Sequence, residues 1–316
     1  AMNDKKNITR YPLHLTISAL FITLIIILGG VLSWQNYSKT SEIIRASAND
    51  LYDQVTTELL LDIKATYQPV GDTLGLLALT PITQADTLAE RLDAIAMLRE
   101  VLRSGPSVAA IQVGYPNGDF LILRPLSDSQ TRERFAAPDV ASYVADHVDT
   151  AATGERRLVR IYFDDALHEV SRNAEEPTQY APRLRDWYTG AVASNELILT
   201  QPYLFYIARR VGMTLARQVG DSGVVVASDV TLENLSETIS RYKVTPGTEV
   251  VLFTDNGNAI AYPESERLLR SVDGDEIRIA QLTELGSDVL SYLARDLQIT
   301  PRSLEFSFDK RKWEGV

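Results

Sequence analysis

The stretch with the greatest potential for chemistry is TQYAPRLRDWY, residues 178–188. Arg185 offers a planar fork of N–H donors that matches a carboxylate in two parallel hydrogen bonds, and Trp187 offers a flat apolar face with one indole donor. A stretch so rich in arginine and aromatic residues is a poor helix and a poor core strand. It is suited to be the wall of a binding site, and it favours a small anion as the ligand.

Further polar residues follow in segments that look buried. Tyr203 lies in a predicted strand at 198–208, and Asp229 closes an apolar run that begins at Gly223. Each residue also has a simpler interpretation. The Arg185 segment can be a surface turn that packs its aromatic rings, and Asp229 can complement the dipole of a helix predicted at 231–242.

Taken together, these residues resemble a known pattern. Tyr-x-Pro-Arg-x-Arg-x-Trp-Tyr, followed by Pro-Tyr and then by Gly-Val-Val-x-x-x-Asp-Val, is similar to the double Cache (dCache) extracytoplasmic sensor domains of bacterial receptors. The residues that carry the pattern are Tyr180, Pro182, Arg183, Arg185, Trp187, Tyr188, Pro202, Tyr203, Gly223, Val224, Val225, Asp229 and Val230. The resemblance covers roughly residues 15–316.

The resemblance implies a ligand site. In the dCache subgroup that binds free amino acids, a tyrosine, an arginine and a tryptophan hold the ligand carboxylate, and a later tyrosine and aspartate hold its ammonium. By position these roles fall on Tyr180, Arg185, Trp187, Tyr203 and Asp229. The chain departs from the usual pattern at Ala181 and Asp186, and an acid at 186 would weaken carboxylate binding if it pointed inward. The Tyr-Arg-Trp order is general among dCache domains, so amines, purines and organic acids stay open as ligands.

Composition narrows the function classes. A chain of 316 residues with 45% hydrophobic residues can bury a core and suits two domains, whereas a net charge of −11 without a basic cluster argues against nucleic acid as a partner. The absence of cysteine excludes disulfides and thiolate chemistry. The three histidines, His14, His147 and His168, are too scattered to suggest a metal site. We therefore expect neither a metal nor a cofactor.

The most apolar stretch predicts a membrane span. Residues 15–34 contain no charge, and twenty helical residues reach about 30 Å, the hydrocarbon thickness of a bilayer. Lys5, Lys6 and Arg10 precede the stretch, and Trp34 and Tyr37 follow it, which places the N-terminus in the cytoplasm. A cleaved signal peptide is the alternative, but the apolar run is long for one and no small-residue cleavage site follows closely.

After the membrane span, the spacing of the apolar residues predicts two helices. Residues 41–78 carry one apolar stripe that needs a partner, either its own domain or a second copy of the helix, and residues 69–71 should kink or interrupt it. A second helix is predicted at 85–103. In the receptors that this chain resembles, the first long helix forms the dimer interface. The resemblance therefore implies a homodimer.

The pattern then changes to strands. A hairpin with an Asn-Gly turn is predicted at 108–125, and a similar one at 249–262, which suggests two PAS-like units in tandem. The remaining predictions are a short helix at 138–147, strands at 157–163, 169–172, 211–218 and 223–229, a helix at 279–297, and strands at 303–308 and 313–316. Because the last of these leaves its sheet incomplete, we expect the parent protein to continue beyond residue 316.

Catalysis is not indicated. The chain lacks nucleophile-elbow, phosphate-loop and zinc-protease motifs, and its paired acids at 164–165 and 175–176 are typical of solvated surfaces. Asp255 and Glu266 have the end-to-end spacing of a calcium loop, but the residues between them lack the required oxygen ligands and glycine, so a plain hairpin is favoured.

The sequence therefore predicts an α+β, membrane-anchored receptor module that binds a small molecule, with an amino acid as the favoured ligand, and that has no catalytic or metal-binding residues. The expected parts are a cytoplasmic N-terminus (1–14), a transmembrane helix (15–36), a stalk helix (37–80), a membrane-distal ligand-binding unit (81–243) and a truncated membrane-proximal unit (244–316). The bulk of the chain is expected outside the bacterial inner membrane. A ligand-free scaffold for dimerisation or protein binding is the alternative, and an ectoenzyme is a further one.

Overall fold

The computed structural model describes residues 13–103, 105, 108–205, 210–243, 245–254, 256–271, 277–296, 304–308 and 311–315. They form two units, residues 1–56 with 301–316 and residues 57–300. Predictions that concern residues 206–209, Asp255 and 297–303 lie outside the described residues. The helices are α1 (Leu13–Leu77), α2 (Leu88–Asp93), α3 (Ile95–Arg103), α4 (Ser129–Arg134), α5 (Asp186–Ser194), α6 (Glu233–Ser240) and α7 (Asp288–Asp296).

The first unit contains the start of α1 and a hairpin. Within α1, an 18-residue window with a mean hydropathy of 2.4 is long and apolar enough to cross a membrane, and none of it is buried. The hairpin pairs β15 (Leu304–Phe308) with β16 (Arg311–Gly315) in antiparallel register. Both strands were predicted from the sequence.

The second unit is organised by one antiparallel sheet in the order β5-β4-β3-β2-β1-β10-β9-β7, with β6 on β4 and β8 on β9. Its strands are β1 (Val108–Gly114), β2 (Phe120–Pro125), β3 (Tyr143–Thr150), β4 (Arg156–Phe163), β5 (Glu169–Arg172), β6 (Glu176–Pro177), β7 (Ile198–Leu199), β8 (Tyr203–Phe205), β9 (Arg210–Gln218) and β10 (Val225–Thr231). The β1–β2 hairpin and β4, β5, β9 and β10 confirm the strand predictions.

Alternation along the strands gives the sheet two faces. One face packs Ile111, Leu121 and Val226 against Leu74 of α1 and Leu98 of α3, forming the larger hydrophobic core. We call it the helix face. The opposite face, which we call the site face, packs aromatic and small residues beneath α5; they include Phe120, Ile122, Trp187 and Ala227.

The rest of the second unit is smaller. It contains the hairpins β11 (Leu252–Phe253) with β12 (Ala259–Ala261) and β13 (Leu269–Ser271) with β14 (Ile277–Ile279), together with α7. A separate cluster that includes Tyr262, Leu282 and Leu290 forms its core. The α+β class with antiparallel sheets is confirmed.

Three helix predictions need correction. Residues 143–147 are strand rather than helix, because β3 pairs on both sides with β2 and β4; the nearby helix is α4, which Asp128 caps. The helix predicted at 85–103 begins only at Leu88, after the capping box of Thr87 and Glu90, and is divided at Ala94. The helix predicted at 279–297 is shortened to α7, because Ile279 pairs in β14 and Gly286 has a φ of 78°.

Two further expectations fail locally. Pro69 does not interrupt α1, whose helical pattern continues to Leu77; one backbone hydrogen bond is lost there, but Val70 and Leu74 are buried in the core. The strand expected at 198–208 is divided into β7 and β8, and Pro202, which cannot donate to a ladder, lies in the gap.

Behind the helix face, Arg91 of α2 forms a buried charge network. It is 1% exposed, its Nη2 lies 2.9 Å from Asp119 Oδ2, and its Nη1 lies 2.8 Å from His147 Nε2. Burial, with the charge of Arg91, lowers the pKa of His147 to about 4, so the imidazole is neutral and accepts from the guanidinium. The network ties α2 to β3 and to the β1–β2 turn.

We expect Arg91→Met to destabilise the chain by about 3–5 kcal/mol, because it leaves the Asp119 carboxylate buried without a cation. Urea unfolding of the detergent-solubilised chain, followed by far-UV circular dichroism, measures this. The matched control is Arg99→Met on α3, whose partner Glu100 is exposed and whose loss should cost about 1 kcal/mol or less. Equal effects of the two substitutions would contradict the assignment.

Candidate functional site

The centre of the candidate site is Asp229 on β10. Its neighbours across the sheet are Thr214 of β9 and Ala110 of β1, and its side chain lies on the site face, only 8% exposed. Oδ1 accepts hydrogen bonds from Thr214 Oγ1 at 2.7 Å and Gln112 Nε2 at 2.9 Å. Among the described residues, none donates to Oδ2. Asp229 is thus a buried acid with one oxygen occupied and one available.

Asp229 does not cap a helix. The N-cap of α6 is Leu232, three residues later, and Asp229 forms ladder pairs within β10. The dipole interpretation of this residue is therefore wrong, because the carboxylate points into the site face.

Tyr203 reaches the carboxylate through Thr214. The Tyr203 hydroxyl lies 2.6 Å from Thr214 Oγ1. Since the single proton of the Thr214 hydroxyl is donated to Asp229, Tyr203 donates to Thr214. Thr214 is itself fixed by Thr200, whose Oγ1 accepts from the Thr214 N–H at 2.9 Å and whose N–H donates to the Thr214 carbonyl at 3.0 Å. The result is a directed chain of donors from β8 through β9 to β10.

Tyr180 and Trp187 form an aromatic wall above β2. The Phe120 ring lies 5.0 Å from the Tyr180 ring and 6.1 Å from that of Trp187, centroid to centroid. Trp187 is 2% exposed and packs so close to β1 that a Cβ built on Gly114 would lie 2.7 Å from its Cη2. Glycine is therefore required at 114 for the wall to stand where it does.

The wall also shows where the sequence interpretation of residues 178–188 was wrong. Trp187 and Tyr188 lie in the first turn of α5, a helix that the sequence did not predict. The Tyr188 hydroxyl donates to the Gly223 carbonyl at 2.6 Å, which fixes α5 beside the start of β10.

Arg185 lies immediately before α5 and is exposed. Its Cζ is 5.7 Å from the centroid of the Tyr180 ring, and it forms no ion pair within the described part of the chain. Burial raises the pKa of Tyr180, Tyr203 and Asp229, and the positive charge of Arg185 opposes each of these increases. The structure therefore brings the predicted arginine into the electrostatic neighbourhood of the other predicted site residues.

The pKa values in the site are shifted mainly by burial. Burial raises the pKa of Asp229 to about 6, against the lowering effects of the Thr214 hydrogen bond, the Arg124 charge, the Gln112 hydrogen bond and the Arg185 charge. Burial and the nearby Asp229 charge raise the pKa of Tyr180 to about 12. Ionisation of the Asp229 carboxyl group is therefore costly unless a cation lies beside it.

One cluster on the site face was not predicted. Asp146 of β3 is flanked by Arg160 of β4, whose Nε lies 2.6 Å from Oδ1, and by Arg124 of β2, whose Nη1 lies 3.0 Å from Oδ2. A charged residue within each of three apolar alternating strands is the sequence signal that could have indicated it.

Comparisons with known proteins bear on the fold. No protein-family model matches the chain. Among solved structures, the sensory domain of the Campylobacter jejuni chemoreceptor Tlp3 (CcmL) is similar in a form with isoleucine bound, with a TM-score of 0.51, 15% identity and coverage of 86% of this chain and 87% of that one. The ligand-binding domain of the same receptor with L-valine gives a TM-score of 0.52 and 16% identity over 86% of this chain and 88% of that one.

Curated relatives are receptors and a cyclase. Adenylate cyclase 1 of Rhizobium meliloti is 26% identical over 258 residues, 79% of this chain and 38% of that protein. The methyl-accepting chemotaxis protein McpA of Bacillus subtilis is 27% identical over 143 residues, 44% of this chain and 22% of that protein. The chain thus spans well under half the length of these relatives.

Replacement of Asp229 by Asn should stabilise the ligand-free protein. The two donors converge on Oδ1, so an amide oxygen can take that place, and the cost of ionising a buried carboxyl disappears. Because the folded pKa, about 6, exceeds the reference value of 3.8, the protonated acid stabilises the fold below about pH 4. That contribution is lost as pH rises through 6.

The unfolding free energy of Asp229→Asn should therefore exceed that of the parent chain by about 1–3 kcal/mol at pH 7.5, and the difference should shrink towards pH 4. Thermal and urea unfolding at several pH values measure it. Asp221→Asn, at an exposed acid of the β9–β10 turn, is the control. A destabilised Asn variant at pH 7.5 would contradict the account.

Proposed function

We propose that the chain is the extracytoplasmic ligand-sensing module of a membrane-bound signalling receptor, and that its ligand is an amino acid. The fold that the chain shares with chemoreceptor sensory domains, which agrees with the dCache resemblance, supports the proposal. The membrane-anchored sensor class is supported by the apolar helix and by the chemotaxis relatives. The ligand rests on the site itself.

One observation carries the ligand proposal. Three aspartates are buried among the described residues: Asp119, Asp146 and Asp229. Asp119 lies 2.9 Å from Arg91, and Asp146 lies 2.6 Å from Arg160. Asp229 alone of the three has no ion pair in the described part of the chain. A buried carboxylate without a cation is costly, and a ligand ammonium group supplies what is missing.

Arg185 is the proposed partner of the negative charge of the ligand. A zwitterionic amino acid carries a carboxylate close to its ammonium, and Arg185 is an exposed guanidinium whose charge already acts on Asp229. In the proposed complex Arg185 binds the α-carboxylate, and Tyr180 and Trp187 shape that end of the site. Asp229 binds the ammonium, and Tyr203 accepts from it. The solved relatives named above have isoleucine and L-valine bound.

We further propose the arrangement in the cell. Residues 15–36 anchor the chain in the bacterial inner membrane, residues 37–80 form the stalk, residues 81–243 bind the ligand, and residues 244–316 form the membrane-proximal unit. Two copies associate through the long helix, and ligand binding shifts the population between two dimer arrangements. A cyclase, as in the Rhizobium relative, or a chemotaxis module would receive the signal.

Calorimetric titration with a panel of the common amino acids tests the site. Arg185→Ala and Asp229→Ala should each weaken binding roughly ten- to a hundredfold, because each removes a charge-assisted contact. Arg183→Ala, at an exposed arginine two residues away, should leave affinity within about threefold, since a surface charge contributes little. Unchanged affinity in both site variants would refute this pocket. If no amino acid binds the parent chain, the ligand-free scaffold is favoured.

Affinity should also depend on pH. The ligand ammonium requires an ionised Asp229, and in the empty site this carboxyl titrates near pH 6. The dissociation constant should therefore be level above about pH 7 and rise towards tenfold per pH unit well below 6. Isothermal titration between pH 4.5 and 8 measures this. The Asp229→Asn variant should bind weakly at every pH, and a parent affinity that rises on acidification would contradict the assignment of Asp229.

A further inference from the structure

We infer that the site extends into an anion subsite at Arg124, and that the preferred ligand is an amino acid with an acidic side chain. This inference rests on the proposed amino-acid function and names the ligand class within it. It is carried by the cluster of Arg124, Asp146 and Arg160 on the site face, which the α-carboxylate and ammonium contacts do not use.

Register places this cluster beside the site. Ile122 of β2 pairs with Asp146 of β3, which pairs with Arg160 of β4, and Gln112, which holds Asp229, pairs with Ile122. Arg124, two residues after Ile122, therefore points to the same face. Only β1 separates β2 from β10, so their backbones lie roughly 10 Å apart. A small molecule lying over β1 would touch both Asp229 and Arg124.

The donors and acceptors of the cluster do not balance. Asp146 accepts from Arg160 Nε at 2.6 Å, from Arg160 Nη2 at 3.2 Å and from Arg124 Nη1 at 3.0 Å, so both of its oxygens are occupied. Arg124 uses Nη1 there, and its Nε and Nη2 have no hydrogen-bond partner among the described residues. Its side chain is 18% exposed. The cluster therefore offers donors to a ligand and no free acceptor.

The charge of Arg124 acts on Asp229 and Tyr180, two of the groups that we propose contact the ligand. Its charge lowers the pKa of Asp229, more strongly than that of Arg185 does, and it also lowers the pKa of Tyr180. The guanidinium is thus electrostatically part of the site, although it also lies 5.5 Å from the Phe135 ring centroid.

Charge counting then selects among amino acids. The three arginines at 124, 160 and 185 and the two aspartates at 146 and 229 sum to +1, which a zwitterion leaves unchanged. An acidic side chain brings the sum to zero and can take two parallel bonds from the Arg124 fork. A basic side chain raises the sum to +2 and finds Asp146 already occupied. Acidic side chains are favoured, and basic ones are disfavoured.

The test uses the full chain in detergent and calorimetry with L-glutamate, L-aspartate, L-glutamine, L-leucine and L-lysine. L-Glutamate or L-aspartate should bind at least about tenfold more tightly than L-glutamine, and L-lysine should bind most weakly. Arg124→Gln should weaken binding of the acidic ligand roughly ten- to a hundredfold and change L-glutamine by less than about threefold. Arg183→Gln removes an exposed charge and should preserve the preference.

Arg124→Lys is the second variant, in case the glutamine substitution unfolds the chain. It keeps the charge but loses the fork, so the preference should fall without vanishing. Tight binding of neutral amino acids with no acidic preference, or a preference that survives Arg124→Gln, overturns the subsite and leaves the proposed function intact. If no amino acid binds at all, the proposed function fails and this inference fails with it.

Discussion

The site face of the sheet depends on the burial of one carboxylate that forms no ion pair among the described residues. Asp229 is held by Thr214 from β9 and by Gln112 from β1, and Tyr203 from β8 supports Thr214. Four strands therefore contribute to the placement of a single oxygen atom. The two neutral donors lower the cost of ionisation but do not remove it, which is why the pKa of Asp229 is about 6. In the part of the chain that the structure describes, neutral donors hold this group in place and no cation pairs with it.

The other buried acids show what full compensation looks like in the same fold. Asp146 has two arginines, and Asp119 has Arg91 together with Asn117 and the Thr150 amide. In both cases the cation comes from a different element from the acid, so each pair joins parts of the fold. The contrast separates the two acids whose ion pairs hold elements together from Asp229, the acid to which we assign the ligand ammonium in the proposal above.

Local signals in the sequence were sufficient for the hairpins and for the candidate residues. The Asn-Gly turn at 117–118, with a φ of 98° at Gly118, and the apolar run ending at Asp229 needed no knowledge of distant partners. Pairing between residues that are distant in the chain could not be predicted from the sequence. β3 carries Asp146 and His147, which look unfit for a central strand until Arg160 and Arg91 supply their partners. The same holds for Arg124 and its cluster, because only register across three strands brings its members together.

The two charge networks of the second unit are joined by one peptide bond, between Asp146 and His147. Asp146 faces Arg124 and Arg160 on the site face, and the next residue, His147, faces Arg91 behind the opposite face. One peptide unit of β3 joins Asp146 to His147, and a peptide unit is planar and stiff. Neither ionic assembly can slide along β3 without carrying the other, so the site face and the helix face of this sheet share a common mechanical element.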